Sequence, residues 1–148
     1  LKLRSILRCC SSAYFMLILY ASFGAVLGHD FPAFMKFKGG KGIACTGGLL
    51  IGFCPLAVPI SLGIFILVVA ITRYVSLGSI LGVISLEIQI IVFGQMGLLS
   101  VPEQYLTEVY IVFGFVAGLA IILHHANIGR LLKGTENKFS FHSKKQEV

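Results

Sequence analysis

IACTGGLLIGFCPLAVPISLGIFILVVAIT, Ile43 to Thr72, is thirty residues of almost unbroken apolar sequence interrupted by Pro55 and Pro59. It is too long for one membrane crossing and short for two. About 20 apolar residues span a bilayer as a helix, since each adds about 1.5 Å against a hydrocarbon core of about 30 Å. How this run divides decides the fold. Three other segments, Ser11–Gly28, Val75–Leu99 and Tyr105–Leu123, each read as one span.

The rest of the 148-residue chain agrees that the setting is lipid. It is 57% hydrophobic and 12% charged, with a mean hydropathy of +0.94. Soluble domains carry about a quarter charged residues. The net charge of +6 does not point to nucleic acid. Its basic residues sit in short clusters between apolar runs, where membrane topology and anionic groups at the bilayer surface account for them.

Those clusters divide the thirty-residue run. As a single span it would place Lys36, Lys38 and Lys41 on one side of the membrane and Arg130, Lys133 and Lys138 on the other. A break at Cys54–Pro55 gives a short helix, Ile43–Phe53, and a second, Leu56–Thr72. Proline ends or kinks a helix, so Pro55 suits the break. All these cations and Arg73 then share one face, and the Ser100–Thr107 connection, with Glu103 and no Lys or Arg, lies on the other. The positive-inside rule makes the cationic face cytoplasmic. Lys2, Arg4 and Arg8 fall outside, against the rule. The expectation is an all-α, polytopic transmembrane bundle of five helices, one short and proline-broken, in a single integral membrane domain over residues 1–148 with a polar cytoplasmic tail at 138–148.

The N-terminal LKLRSILRCCSSAYFMLILY has the basic start and apolar stretch of a signal peptide, but reads as part of a retained span because further spans follow. A first residue of leucine suggests a fragment. Cys9, Cys10, Cys45 and Cys54 show no metal-ligand spacing, and the last two read as small packing residues. Four Gly-x-x-x-Gly pairs, Gly24/Gly28, Gly48/Gly52, Gly78/Gly82 and Gly114/Gly118, point to closely approaching helices in a compact bundle.

Two clusters suit a phosphorylated substrate. In FKGGKGIACTGG (Phe37–Gly48), Gly39, Gly40 and Gly42 can turn backbone N–H groups toward an anion, Lys38 and Lys41 add charge, and the short helix presents its positive end. The spacing is not that of a Walker A loop; the competing reading is a flexible loop with lysines among lipid headgroups. In the second cluster His124, Asn127 and Arg130 stand three residues apart, on one helix face where the last span leaves the membrane. Taken alone, this cluster is read more simply as an interfacial helix end with snorkelling side chains. His29 and Asp30 are close enough in sequence to pair, and Glu87 reads as a protonated group hydrogen-bonded between helices. No cofactor, metal cluster or covalent-nucleophile arrangement is indicated.

GHDFPAFMKFKGGKGIAC (Gly28–Cys45), TRYVSLGSI (Thr72–Ile80) and HHANIGRLLKGTENKF (His124–Phe139) together resemble the bacterial acyl-phosphate:glycerol-3-phosphate acyltransferases, membrane enzymes of phospholipid synthesis. The resemblance runs from about Ala21 to Phe141, departing at Ile43, Cys45 and His125. It implies the last five helices of a seven-helix fold in the bacterial cell membrane. It implies that Gly39, Gly40, Lys41 and Gly42 hold the phosphate of glycerol 3-phosphate, with Lys38 assisting. His124 and Asn127 would act at the reacting centre, Ser76 and Arg130 would contact substrate, and His29 and Glu136 would give structural support. The partners implied are glycerol 3-phosphate, long-chain acyl phosphate and membrane lipids. The family's Ser-Gly-Asn…Ala-Thr-Asn…Arg motif has no counterpart in Leu1–Ser12. Anion transport through the broken helix, or a non-catalytic remnant of the acyltransferase, are the alternative readings.

Overall fold

The computed structural model describes residues 2–37, 39–99 and 101–140, with side chains from residue 13 onward. Its elements are six α-helices joined by short turns: α1 (Lys2–Asp30), α2 (Ile43–Phe53), α3 (Val58–Thr72), α4 (Val75–Gln95), α5 (Leu106–Leu123) and α6 (His125–Leu132). Among the described residues four stretches are long and apolar enough to cross a membrane: Ala13–Met35, Pro55–Thr72, Val75–Gln95 and Glu103–Leu123.

The thirty-residue run divides where charge and proline place the break. α2 ends at Phe53, and Cys54 leaves helical geometry at φ −142°, ψ 78°. Pro55 then opens a 3-10 turn, Pro55–Ala57, that leads into α3. At about 1.5 Å per residue, the eleven residues of α2 reach only about 16 Å, half of a bilayer core. The result is a short, re-entrant descent followed by a return crossing.

The core gathers Leu19 and Val26 of α1, Leu49 and Phe53 of α2, Ile90 of α4 and Phe113 of α5. Phe53 is its pivot, edge-on to Phe15 at 6.2 Å and tilted against Phe113 at 5.2 Å; such ring pairs add to the burial itself. α3 contributes no buried side chain. It is apolar all round and packs chiefly along α4, the expected state of a helix whose outer face meets lipid tails instead of water.

The glycine pairs behave less uniformly than the sequence suggests. Only Gly78/Gly82 makes a close helix contact at both members: a Cβ at Gly78 would come within 2.7 Å of Val69 Cγ2 on α3, and one at Gly82 within 3.7 Å of Ser61 O. Gly24, Gly28, Gly48 and Gly118 have open space where a Cβ would be. The compact-bundle role expected of four pairs therefore falls to one, at the α3/α4 seam. The hydrogen bond expected for Glu87 is also missing: its Oε2 is buried without a partner among the described residues. Cys45 and Cys54 are free, Cys54 buried.

Gly78→Leu should therefore force α3 off α4 and cost about 1–3 kcal/mol, whereas Gly118→Ala should leave stability unchanged. Thermal unfolding of the two variants in the same detergent reads the difference.

Candidate functional site

The cationic segments meet at one end of the bundle around a cavity of about 420 Å³, lined among others by Lys41, Ser76, His124, Asn127, Glu136 and Lys138. Each arrives on a different element. Lys41 precedes α2, Ser76 lies in the first turn of α4, His124 closes α5, and Asn127 sits on α6. Glu136 follows α6, beyond Gly134, which takes the left-handed conformation (φ 68°) just after the helix. From there Thr135–Phe139 folds back over α4, pinned by Phe139 N–H to Arg73 O at 2.7 Å, with the Lys138 ammonium 5.8 Å over the Tyr74 ring.

Glu136 organises the group. Its Oε1 accepts from Asn127 Nδ2 at 2.7 Å and from Ser76 Oγ at 2.9 Å, and its Oε2 accepts from Arg130 Nε at 2.6 Å. The side chain is only 7% exposed. These donors, Asn127 foremost, hold the carboxyl down at about 2, well below its usual 4.5. Asn127 in turn accepts from Lys41 Nζ at Oδ1. A carboxylate can only accept and an ammonium can only donate, so the two neighbours fix which way the amide points.

His124 is 2% exposed. Its Nδ1 lies 2.7 Å from Ala120 O, and because a carbonyl only accepts, Nδ1 carries the proton. Burial lowers the imidazole below its ordinary 6.5, with the charge of Lys41 acting in the same direction. At neutral pH the ring is uncharged and Nε2 is an acceptor.

The last span does not run smoothly into the histidine face. The chain turns at His124, and α6 starts afresh at His125. His124 and Asn127 still reach the cavity together, but Arg130, 44% exposed, turns to Glu136 as a brace. Ser76 is likewise engaged with Glu136.

The glycine loop differs most from expectation. Lys41 lines the cavity; Gly39, Gly40 and Gly42 do not, and Lys38 lies outside the described residues. A Cβ at Gly39 would strike the backbone oxygens of His29 and Asp30, and one at Gly40 would strike the His29 ring. The Gly40 N–H is already bonded to His29 O at 3.3 Å. Gly42 has φ +67°, and a Cβ there would meet the Asp30 carboxylate at 2.8 Å. Asp30 is buried beside the start of α2, so the negative group at that positive helix end belongs to the chain itself. Small size here lets the loop close onto the end of α1 and aim Lys41 inward. The site residues that sequence reasoning missed are Ser79, Asn137, Lys138 and Phe139; Ser79 had a signal, standing three residues after Ser76 on α4.

A second cavity, about 310 Å³, lies between α2, α3 and α4. Its walls are apolar, with Leu50, Val58, Phe65, Val83 and Leu86 among them. Ile43 and Ser79 line both cavities.

A family model described as glycerol-3-phosphate acyltransferase matches residues 3–134. The chain belongs to the glycerol-3-phosphate acyltransferase family. It is 39% identical to the glycerol-3-phosphate acyltransferase of Chlorobaculum parvum over 135 residues, which are 83% of this chain and 58% of that protein. The corresponding protein of Trichlorobacter lovleyi is 40% identical over 120 residues, 81% of this chain and 57% of that one. The chain thus spans under two thirds of the length of the curated relatives it matches. Among solved structures it is similar to PlsY (YgiH), an integral membrane glycerol 3-phosphate acyltransferase. The TM-score is 0.69 and the identity 35%, covering 78% of this chain; the match takes in 52% of the glycerol 3-phosphate form and 54% of the lysophosphatidic acid form.

The lowered pKa of Glu136 fixes how the Thr135–Phe139 strap responds to acid. A carboxyl lowered from 4.5 to about 2 contributes stability above its unfolded value and loses it as pH falls toward the folded one. Hydrogen exchange at residues 135–139 should stay protected down to about pH 4.5 and become fast between there and about pH 2, while Glu136→Gln should exchange fast at neutral pH.

Proposed function

We propose that this chain is the part of a bacterial membrane acyltransferase that moves an acyl group from a long-chain acyl phosphate to the 1-hydroxyl of glycerol 3-phosphate, releasing phosphate and 1-acylglycerol 3-phosphate. The observation that carries the reading is a pair of neighbouring cavities that share Ile43 and Ser79: a polar pocket lined by Lys41 and Lys138, and an apolar groove between α2, α3 and α4. A substrate with a phosphate at one end and an alkyl chain at the other matches that division. Membership of the family supports glycerol 3-phosphate as the acceptor.

Within the pocket Lys41 supplies positive charge for phosphate oxygens, as a compact ammonium suits. Gly39, Gly40 and Gly42 act by letting the loop close behind it, and His29 gives that loop its backing. Glu136, Ser76 and Arg130 hold Asn127 in place. An acyl phosphate is already activated, so the protein needs mainly to bring the hydroxyl to the acyl carbon and to stabilise charge. The hydroxyl oxygen bonds to the acyl carbon, and the bond from that carbon to the phosphate oxygen breaks with its electron pair leaving on phosphate. The hydroxyl proton has two acceptors within the site, the departing phosphate and the neutral Nε2 of His124. Membrane lipids surround α3, and the basic pocket end faces the cytoplasm by the positive-inside rule.

Phosphate release from a long-chain acyl phosphate, measured with the chain in membranes, should depend on added glycerol 3-phosphate. It should fall on the order of 10²-fold or more in Asn127→Ala and His124→Ala. The acid limb of the rate should lie below pH 6.5, because the histidine must be neutral and its folded value is lowered. Release indifferent to glycerol 3-phosphate, or unaffected by both substitutions, would contradict the assignment.

A further inference from the structure

If the acyl chain lies in the groove and the phosphate in the pocket, the reacting carbonyl lies where the two cavities join. This step rests on the acyl-transfer reading. Two residues line both cavities, Ile43 and Ser79, and of these Ser79 alone has a hydrogen-bonding side chain. It is 7% exposed, one turn further into the bundle along α4 than Ser76. Of the neighbouring polar side chains, Ser76 is engaged with Glu136 and Asn127 with both Lys41 and Glu136. The neutral His124 Nε2 can only accept, and Thr46 lines only the groove.

The Ser79 hydroxyl is engaged too, but on terms that release it. Its Oγ donates to Val75 O at 3.0 Å. That carbonyl is four residues back in the same α-helix, where the Ser79 backbone N–H is its regular partner. Swinging the hydroxyl hydrogen away leaves no buried group unpaired, so its cost is small.

We propose that Ser79 is a further catalytic residue, whose hydroxyl donates a hydrogen bond to the carbonyl oxygen of the acyl donor. When the glycerol hydroxyl adds to the acyl carbon, the carbonyl π pair moves onto that oxygen. The Ser79 O–H meets the developing charge in a site with apolar walls on its groove side, where such a donor acts strongly. The pair returns to the carbonyl as the bond to phosphate breaks, and the serine keeps its proton throughout. It is neither nucleophile nor base.

The test uses the chain in vesicles with a non-hydrolysable long-chain β-keto phosphonate labelled with ¹³C at the carbonyl. Bound to the unaltered chain, the carbonyl infrared band should lie at lower frequency than when bound to Ser79→Ala, and Ser79→Thr should restore the shift. Ser85→Ala removes a hydroxyl that also bonds within α4, to Gly82 O at 2.8 Å, and should leave the band unmoved. In turnover with the true donor, Ser79→Ala should lower kcat by about 10²-fold with little change in either KM. An unchanged band in Ser79→Ala, with glycerol 3-phosphate-dependent turnover intact, overturns the inference and leaves the function standing. A serine-dependent shift without turnover supports the inference and counts against the function. An unaltered chain that does not bind the phosphonate overturns both.

Discussion

The carboxylate of Glu136 is the constraint on which the site depends. It gathers donors from α4 and α6 onto two oxygens, and through Asn127 it reaches Lys41 at the start of α2. The starts of α2 and α4, the helix α6 and the segment that follows it are tied at one end by this relay. A buried or half-buried anion is costly unless its hydrogen-bonding capacity is met, and here each oxygen has a charged or amide partner. The same saturation makes Asn127 directional, one end fixed by an anion and the other by a cation. Among the described ion pairs Lys41 has no carboxylate partner; its ammonium donates to the Asn127 amide instead.

The membrane accounts for the other half of the arrangement. A helix of α2's length cannot cross a bilayer, so it descends partway and turns at Cys54–Pro55. α3 then returns along α4 with its outer face in lipid, and the wedge between α2, α3 and α4 stays open as the apolar groove. The seam that holds α3 depends on Gly78 lying against Val69 and Phe65. The short helix therefore does two things: its start positions Lys41, and its brevity leaves the apolar groove open beside it. Ile43 and Ser79 line both that groove and the polar pocket.

Much of this was legible in the sequence, for reasons that differ by element. The bounds of α2 and the placement of Lys41, Arg73 and α6 at one end followed from lysine placement and Pro55, because charge asymmetry and proline act locally and strongly. His124 and Asn127 stand together as their spacing implies. The glycines were less legible. Sequence shows that a backbone can approach closely, but not what approaches it. Gly39, Gly40 and Gly42 pack against the end of α1, and three of the four Gly-x-x-x-Gly pairs are not helix contacts at both members. The partnership of Ser76 and Arg130 with Glu136 was hidden for another reason: a contact between residues sixty apart, such as Ser76 and Glu136, leaves no periodic trace. Ser79 sat one turn from a residue already singled out, and only the meeting of two cavities sets it apart.

The measurement that bears most directly on the account is a double-mutant cycle on stability between Lys41→Met and Glu136→Gln. These side chains share no hydrogen bond or ion pair and meet through Asn127. If the relay is one unit, the loss in the double variant should be clearly smaller than the sum of the two single losses, since either change alone already frees the amide. Losses that simply add, in the same detergent and at the same pH, would mean that lysine, amide and carboxylate act separately, and would contradict a site assembled around Glu136.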